Sequence, residues 1–198
     1  MNKSTNADAL DLAKILNSVV LKRNLISASL YLAAYEILNS AVLEETKSFY
    51  NRFGEKSEIT DSRYKEEVRS LDKDELTASW RWLKDHGAID DRDLVSYHEI
   101  RAHRNVVAHE LPRLIATAGS DISKPLLIRI AELLDRIERW WILEFEVPVN
   151  PDFDDQTVQA EDITTGRMTL LKVILGIAQA EDDRNHWDEI QRLLMRPV

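Results

Sequence analysis

The chain contains no cysteine. A disulfide framework and a thiolate metal centre are therefore both excluded, and no residue type calls for an oxidising compartment. Glycine and proline are scarce, five of each in 198 residues, too few to punctuate the many short strands of a sandwich or barrel. The longest uncharged apolar run, around Leu25 to Tyr35, falls short of the roughly 20 residues that a bilayer-spanning helix needs. The opening MNKSTNADALDL lacks the apolar core of a secretory signal, so a cytoplasmic protein is the expectation. Positive charge is also short: 26 Lys and Arg face 35 Asp and Glu, a formal net charge of −9. A surface of that sign does not coat nucleic acid non-specifically, because phosphate neutralisation needs cations in number. One stretch departs from the rule, since residues 98 to 113 carry Arg101, Arg104 and Arg113 against Glu99 and Glu110, together with three of the five histidines.

What is present is helical. Long stretches of Leu, Ile, Ala, Glu, Lys and Arg predict an all-α helical bundle in a single domain over 1–198. A first helix is predicted over ADALDLAKIL, then a long amphipathic one from about Val19 to Phe53, where Tyr31, Tyr35, Leu38, Val42, Phe49 and Phe53, with Thr46 completing the series, recur at steps of three and four. The polar GEKSE ends it, and the charged DSRYKEEVRSL that follows is expected to be helical but solvated. A short helix over DELTASWRWLKDHG closes at Gly87, a residue suited to a left-handed cap. Asp90 or Asp91 caps the next helix, which runs to about Glu110 and is expected to stop near Pro112. Pro125 opens a helix striped by Leu127, Ile130, Leu134, Ile137 and Trp141 to about Phe145. Residues 147–162, with two prolines and five acids, read as an acidic surface loop, and 163–198 as C-terminal helices around Met168 to Ala180 and HWDEIQRLLM. Trp80, Trp82, Trp140 and Trp141 fit core or interface better than base-stacking platforms.

The unusual helix contains RAHRNVVAHE, residues 101 to 110. At about 100° per residue, Ile100, Val107 and Leu111 cluster on one side, and Val95, Ala102 and Val106 form a second apolar band at roughly 200° to 240°. Arg101, Asn105, His98 and His109 fall between them at roughly 100° to 180°, with Arg104 near 40° and able to lean into the stripe. Two apolar bands flanking a cationic stripe predict a helix packed on both sides, its polar stripe opening into a groove. An imidazole that passes protons near neutrality and a guanidinium that holds a phosphoryl oxygen suffice for RNA cleavage by its own 2′-hydroxyl. That reaction requires no metal and no cofactor. Other chemistries fit less well. His98 and His103 are five residues apart, about 140° around the helix, which is wrong for the paired ligands of a zinc-protease helix. A glycine-rich phosphate loop and a nucleophile elbow are both missing.

Arg104-Asn105-Val106-Val107-Ala108-His109 resembles the R-x4-6-H signature of HEPN domains, in which a polar residue, often Asn, follows the arginine late in a long helix of an α-helical bundle. Arg81 to His86 and Arg92 to His98 share the spacing but lack the asparagine. The resemblance covers about 20–145 by helix order. It implies a metal-independent endoribonuclease without cofactor, acting as a homodimer whose motif helices face each other across a two-fold axis, and a role as a toxin or phage-defence effector with an antitoxin or regulatory partner. It further implies that His109 is the general acid or base, that Arg104 stabilises charge on phosphorus, that Asn105 positions one of them, and that Arg101 and His98 give electrostatic support on the substrate side. Leu111 stands where some toxins of the family carry a tyrosine modified by a partner nucleotidyltransferase, which puts that route of neutralisation in doubt. A second class of function stays open: a non-catalytic helical module that holds a protein partner, a nucleotide or RNA in the same groove, a role that suits the net acidity.

Overall fold

The computed structural model describes residues 17–52, 62–116, 122–153 and 157–179. The helices expected over ADALDLAKIL and HWDEIQRLLM, and the GEKSE stretch, lie outside them. Among the described residues the chain is an all-α helical bundle with no strand.

Helix α1, Ser18–Arg52, is the spine of the bundle. The Asn17 carboxamide oxygen accepts from the backbone N–H groups of Val19 and Val20 and so caps it. At about 1.5 Å per residue it runs for about 50 Å. By length and composition it is apolar enough to cross a membrane, which the uncharged run alone did not suggest, and 44% of its most apolar window is buried inside the fold. The buried row is Tyr31, Ala34, Tyr35, Leu38, Ala41 and Val42, the three-and-four spacing of one helical face.

Five further helices pack on or around that row. Helix α2, Glu75–Asp85, starts where the Asp74 carboxylate accepts from Thr77 N–H at 3.0 Å and ends at Gly87, whose φ of +80° only glycine adopts without strain. Helix α3, Asp91–His109, carries the motif. Pro112 does not simply end it: Glu110 breaks the helix, and a short α4, Leu111–Ala116, restarts with Pro112 in its first turn, where a missing N–H costs nothing. Helix α5, Lys124–Trp141, is capped by Ser123 and lies along both α1 and α3. Its expected continuation to Phe145 changes to a π-helical turn over Ile142–Glu146, followed by single 3-10 turns at Val147–Val149, Pro151–Phe153 and Ala160–Asp162. Helix α6, Gly166–Gln179, returns to α1 and α5. Arg167 ties the three together, reaching Glu44 at 2.7 Å, Glu45 at 2.8 Å and the buried Glu138 at 3.3 Å, while Thr165 donates to Glu138 as well.

The tryptophans are structural. Trp80, Trp82 and Trp141 are buried, Trp82 donates to Tyr50 Oη at 2.9 Å, and Phe49, Trp140 and Phe145 pack around them. The charged segment expected to be solvated contributes a five-residue π-helical turn, Lys65–Arg69, with Val68 fully buried and the Glu67 carboxylate accepting from Tyr50.

Asp93 sets the position of α3. Asp90 and Asp93 form a reciprocal capping box, with Asp93 N–H donating to Asp90 at 2.9 Å and Asp90 N–H to Asp93 at 3.1 Å. The same Asp93 carboxylate, fully buried, also accepts from Arg136 and from Arg129 at 3.4 Å on α5. Asp93→Ala removes one half of the capping box and two charge-assisted contacts together, so it is expected to lower unfolding free energy by about 2–3 kcal/mol. Asp93→Asn keeps part of the cap and is expected to lose less; urea denaturation of the two variants measures both.

Candidate functional site

One side of α3 is held by hydroxyl groups as well as by apolar burial. Ile100 and Val107 are fully buried, and Tyr97 stacks on Trp80 with centroids 4.1 Å apart. Tyr97 Oη donates to Asn39 Oδ1 at 3.2 Å, and Tyr31 Oη donates to the Ile100 carbonyl at 3.1 Å, so α1 grips both a side chain and the backbone of α3. Burial pushes both phenols well above the ordinary tyrosine range, which keeps them protonated as donors. A slip of α3 by one residue would orphan both hydroxyls inside the protein.

Among the described residues, the opposite side is uncovered. The expected second apolar band does not pack against another described element: Val95 is 58% exposed, Ala102 is exposed, and only Val106 turns partly inward. The wheel places two apolar bands but cannot say which of them meets a neighbour. Val95, His98, Ala102, Asn105 and His109 instead form one exposed row at steps of three and four. It runs for about 21 Å along the helix.

The motif residues divide between the two sides. Asn105 and His109 belong to the exposed row, as does His98. Arg104 leans the other way, toward α1. Its Nη2 donates to Glu36 Oε1 at 3.1 Å, its guanidinium lies over the Tyr35 ring at 5.3 Å, and its Nη1 reaches Asn105 Oδ1 only at 3.5 Å. Arg101 faces α2 and lies 3.9 Å from Asp74. Thus Arg104 and Asn105 come together, whereas the imidazole of His109 faces outward from an arginine turned inward. The groove expected between two bands is an open helix face. An aromatic cavity of about 190 Å³ lies elsewhere, between Phe49, Trp141 and Phe145. Phe49 is about 20 Å along α1 from Glu36.

Glu36 and Tyr35 were not legible as part of the site. Arg104 and Glu36 are 68 positions apart, and a local wheel gives no register between two helices. His103 was legible only as a polar residue near the motif. The fold makes it a clasp: its Nε2 accepts from the Ser123 backbone N–H at 3.1 Å, and its ring packs edge-on against Tyr31 at 4.9 Å. A backbone N–H only donates, so the acceptor nitrogen must be unprotonated and the proton of the neutral ring sits on Nδ1. Burial lowers the pKa of His103 below the ordinary histidine value.

The sign of the resulting pH dependence follows. With a folded-state pKa below the unfolded one, the clasp contributes fully above the unfolded value of about 6.5 and is lost as pH falls through the folded value. His103→Gln, which keeps an acceptor without the titration, is expected to lose less stability than wild type on acidification from pH 7.5 to pH 5, measured by urea midpoints. Compared with models of known protein families, with curated proteins and with solved structures, the chain finds no match in any of the three.

Proposed function

We propose that the chain is a metal-independent endoribonuclease of HEPN type, active as a homodimer paired along the exposed face of α3. The observation that carries the reading is the placement of Asn105 and His109 in an uncovered helical row, with Arg104 at its edge and in contact with Asn105. In one chain the guanidinium and the imidazole diverge. Two copies related by a two-fold axis bring the row of one against the row of the other, so that Arg104 of one copy and His109 of the second serve a single phosphodiester.

The chemistry needs no further group. The 2′-oxygen attacks the adjacent phosphorus as its proton leaves, the bond from phosphorus to the 5′-oxygen breaks, and that oxygen takes up a proton. The products are a 2′,3′-cyclic phosphate and a 5′-hydroxyl. His109 is exposed and serves as general acid or base, a role worth about 10²- to 10⁴-fold. Arg104 stabilises charge on the phosphoryl oxygens, Asn105 orients its guanidinium, and Arg101 and His98 support the flanking strand electrostatically. A second reading has its own support: the Arg104–Glu36 ion pair and the net acidity suit a non-catalytic module that holds a protein partner.

Pure protein incubated with end-labelled RNA in excess EDTA separates the two. The ribonuclease reading predicts fragments with 2′,3′-cyclic ends, and rates at least about 100-fold lower in Arg104→Ala and in His109→Ala with folding intact. RNA left whole over hours assigns the face to the module.

A further inference from the structure

Each arginine of the motif segment is matched by a carboxylate: Arg101 by Asp74, Arg104 by Glu36 and Arg113 by Glu110. A strand of phosphates approaching α3 therefore meets no unpaired guanidinium among these three. The pairing at Arg104 is the closest to the proposed chemistry. Of the guanidinium's surfaces, one ring face lies over Tyr35, Nε is buried without a hydrogen-bond partner, and Nη1 leans on Asn105. A phosphoryl oxygen must then be taken by the terminal nitrogens, one of which already holds Glu36.

Resting on the ribonuclease reading of this face, we infer that Glu36 is a built-in competitor for the substrate phosphate. It occupies Arg104 in the free protein and yields to a phosphodiester, which sets the affinity of the site without taking part in the reaction. The exposure of the pair suits exchange: the Glu36 side chain is 61% exposed and that of Arg104 is 32% exposed. Exposed ion pairs are weak enough to be displaced by an anion of higher charge density with better geometry. The carboxylate also repels that anion from a few ångströms away, an effect that salt screens. The opposite role is equally concrete. A carboxylate that only aimed the guanidinium would strengthen phosphate binding, and its loss would lower turnover.

Glu36→Gln keeps an oxygen acceptor beside Arg104 and removes the charge; at a position this exposed the variant folds. Wild type and variant are titrated with inorganic phosphate while the Arg104 Nε–Hε resonance is followed by NMR. Competition predicts that the variant binds phosphate about two- to fivefold more tightly, the range that an exposed pair supports, and that the difference shrinks at high salt. In RNA cleavage it predicts a KM lower by a similar factor with kcat unchanged. Equal or weaker phosphate binding in the variant, no response of Arg104 to phosphate in either protein, or a fall in kcat at constant KM overturns the inference. If phosphate binding tightens but neither protein cuts RNA, competition stands and the ribonuclease reading falls. If RNA is cut with no change in KM or phosphate affinity, competition alone falls.

Discussion

Everything that α3 presents depends on its being gripped, among the described residues, from one side only. Asp93 closes its own helix and binds two arginines of α5, while the hydroxyls of Tyr31 and Tyr97 fasten it to α1 at a carbonyl and an amide. These are buried polar contacts with directional demands. Apolar burial of Ile100 and Val107 tolerates a small rotation of the helix, whereas an orphaned buried hydroxyl or carboxylate costs about 1–3 kcal/mol or more. The outward direction of the row from Val95 to His109 is thus fixed by hydrogen bonds on the far side of the helix. His103, clasping the amide of Ser123, adds a third point of attachment, at the start of α5.

Composition and periodicity carried the fold class, the long spine, the Asp90 cap, the Gly87 turn and the tryptophan core, because each follows from local rules about helices. One expectation failed for a physical reason. A helical wheel treats α3 in isolation, so it placed two apolar bands and then assumed a neighbour for both; of the second band only Val106 meets one among the described elements. The stop expected near Pro112 is met, α3 ending at His109, and the same fixed φ suits the first turn of the short α4 that follows. Nothing in either wheel links Glu36 to Arg104 or Tyr31 to Ile100, pairs separated by 68 and 69 positions. The candidate residues Arg104, Asn105 and His109 were legible from the motif. The residues that aim and neutralise them were not.

The acidity of the chain and the proposed action on RNA are reconciled by pairing. A protein that binds RNA through a broad cationic surface does so everywhere and with steep salt dependence. Here the arginines near the motif are held by acids, so attraction is local and depends on exchanging one partner for another. The face of α3 alone, about 21 Å long and one helix wide, is also far smaller than the roughly 800 Å² per partner of a typical stable interface. Pairing along it is accordingly expected to depend on concentration, which lets copies exchange between dimers.

That exchange gives the most direct test of a site shared between two copies. Arg104→Ala and His109→Ala proteins, each inactive alone, are mixed in equal amounts and assayed for RNA cleavage. Random pairing makes half of the dimers mixed, each holding one intact combination, so a shared site predicts recovery of about a quarter of wild-type activity. A mixture as inactive as its components, with mixed dimers demonstrably formed, contradicts it.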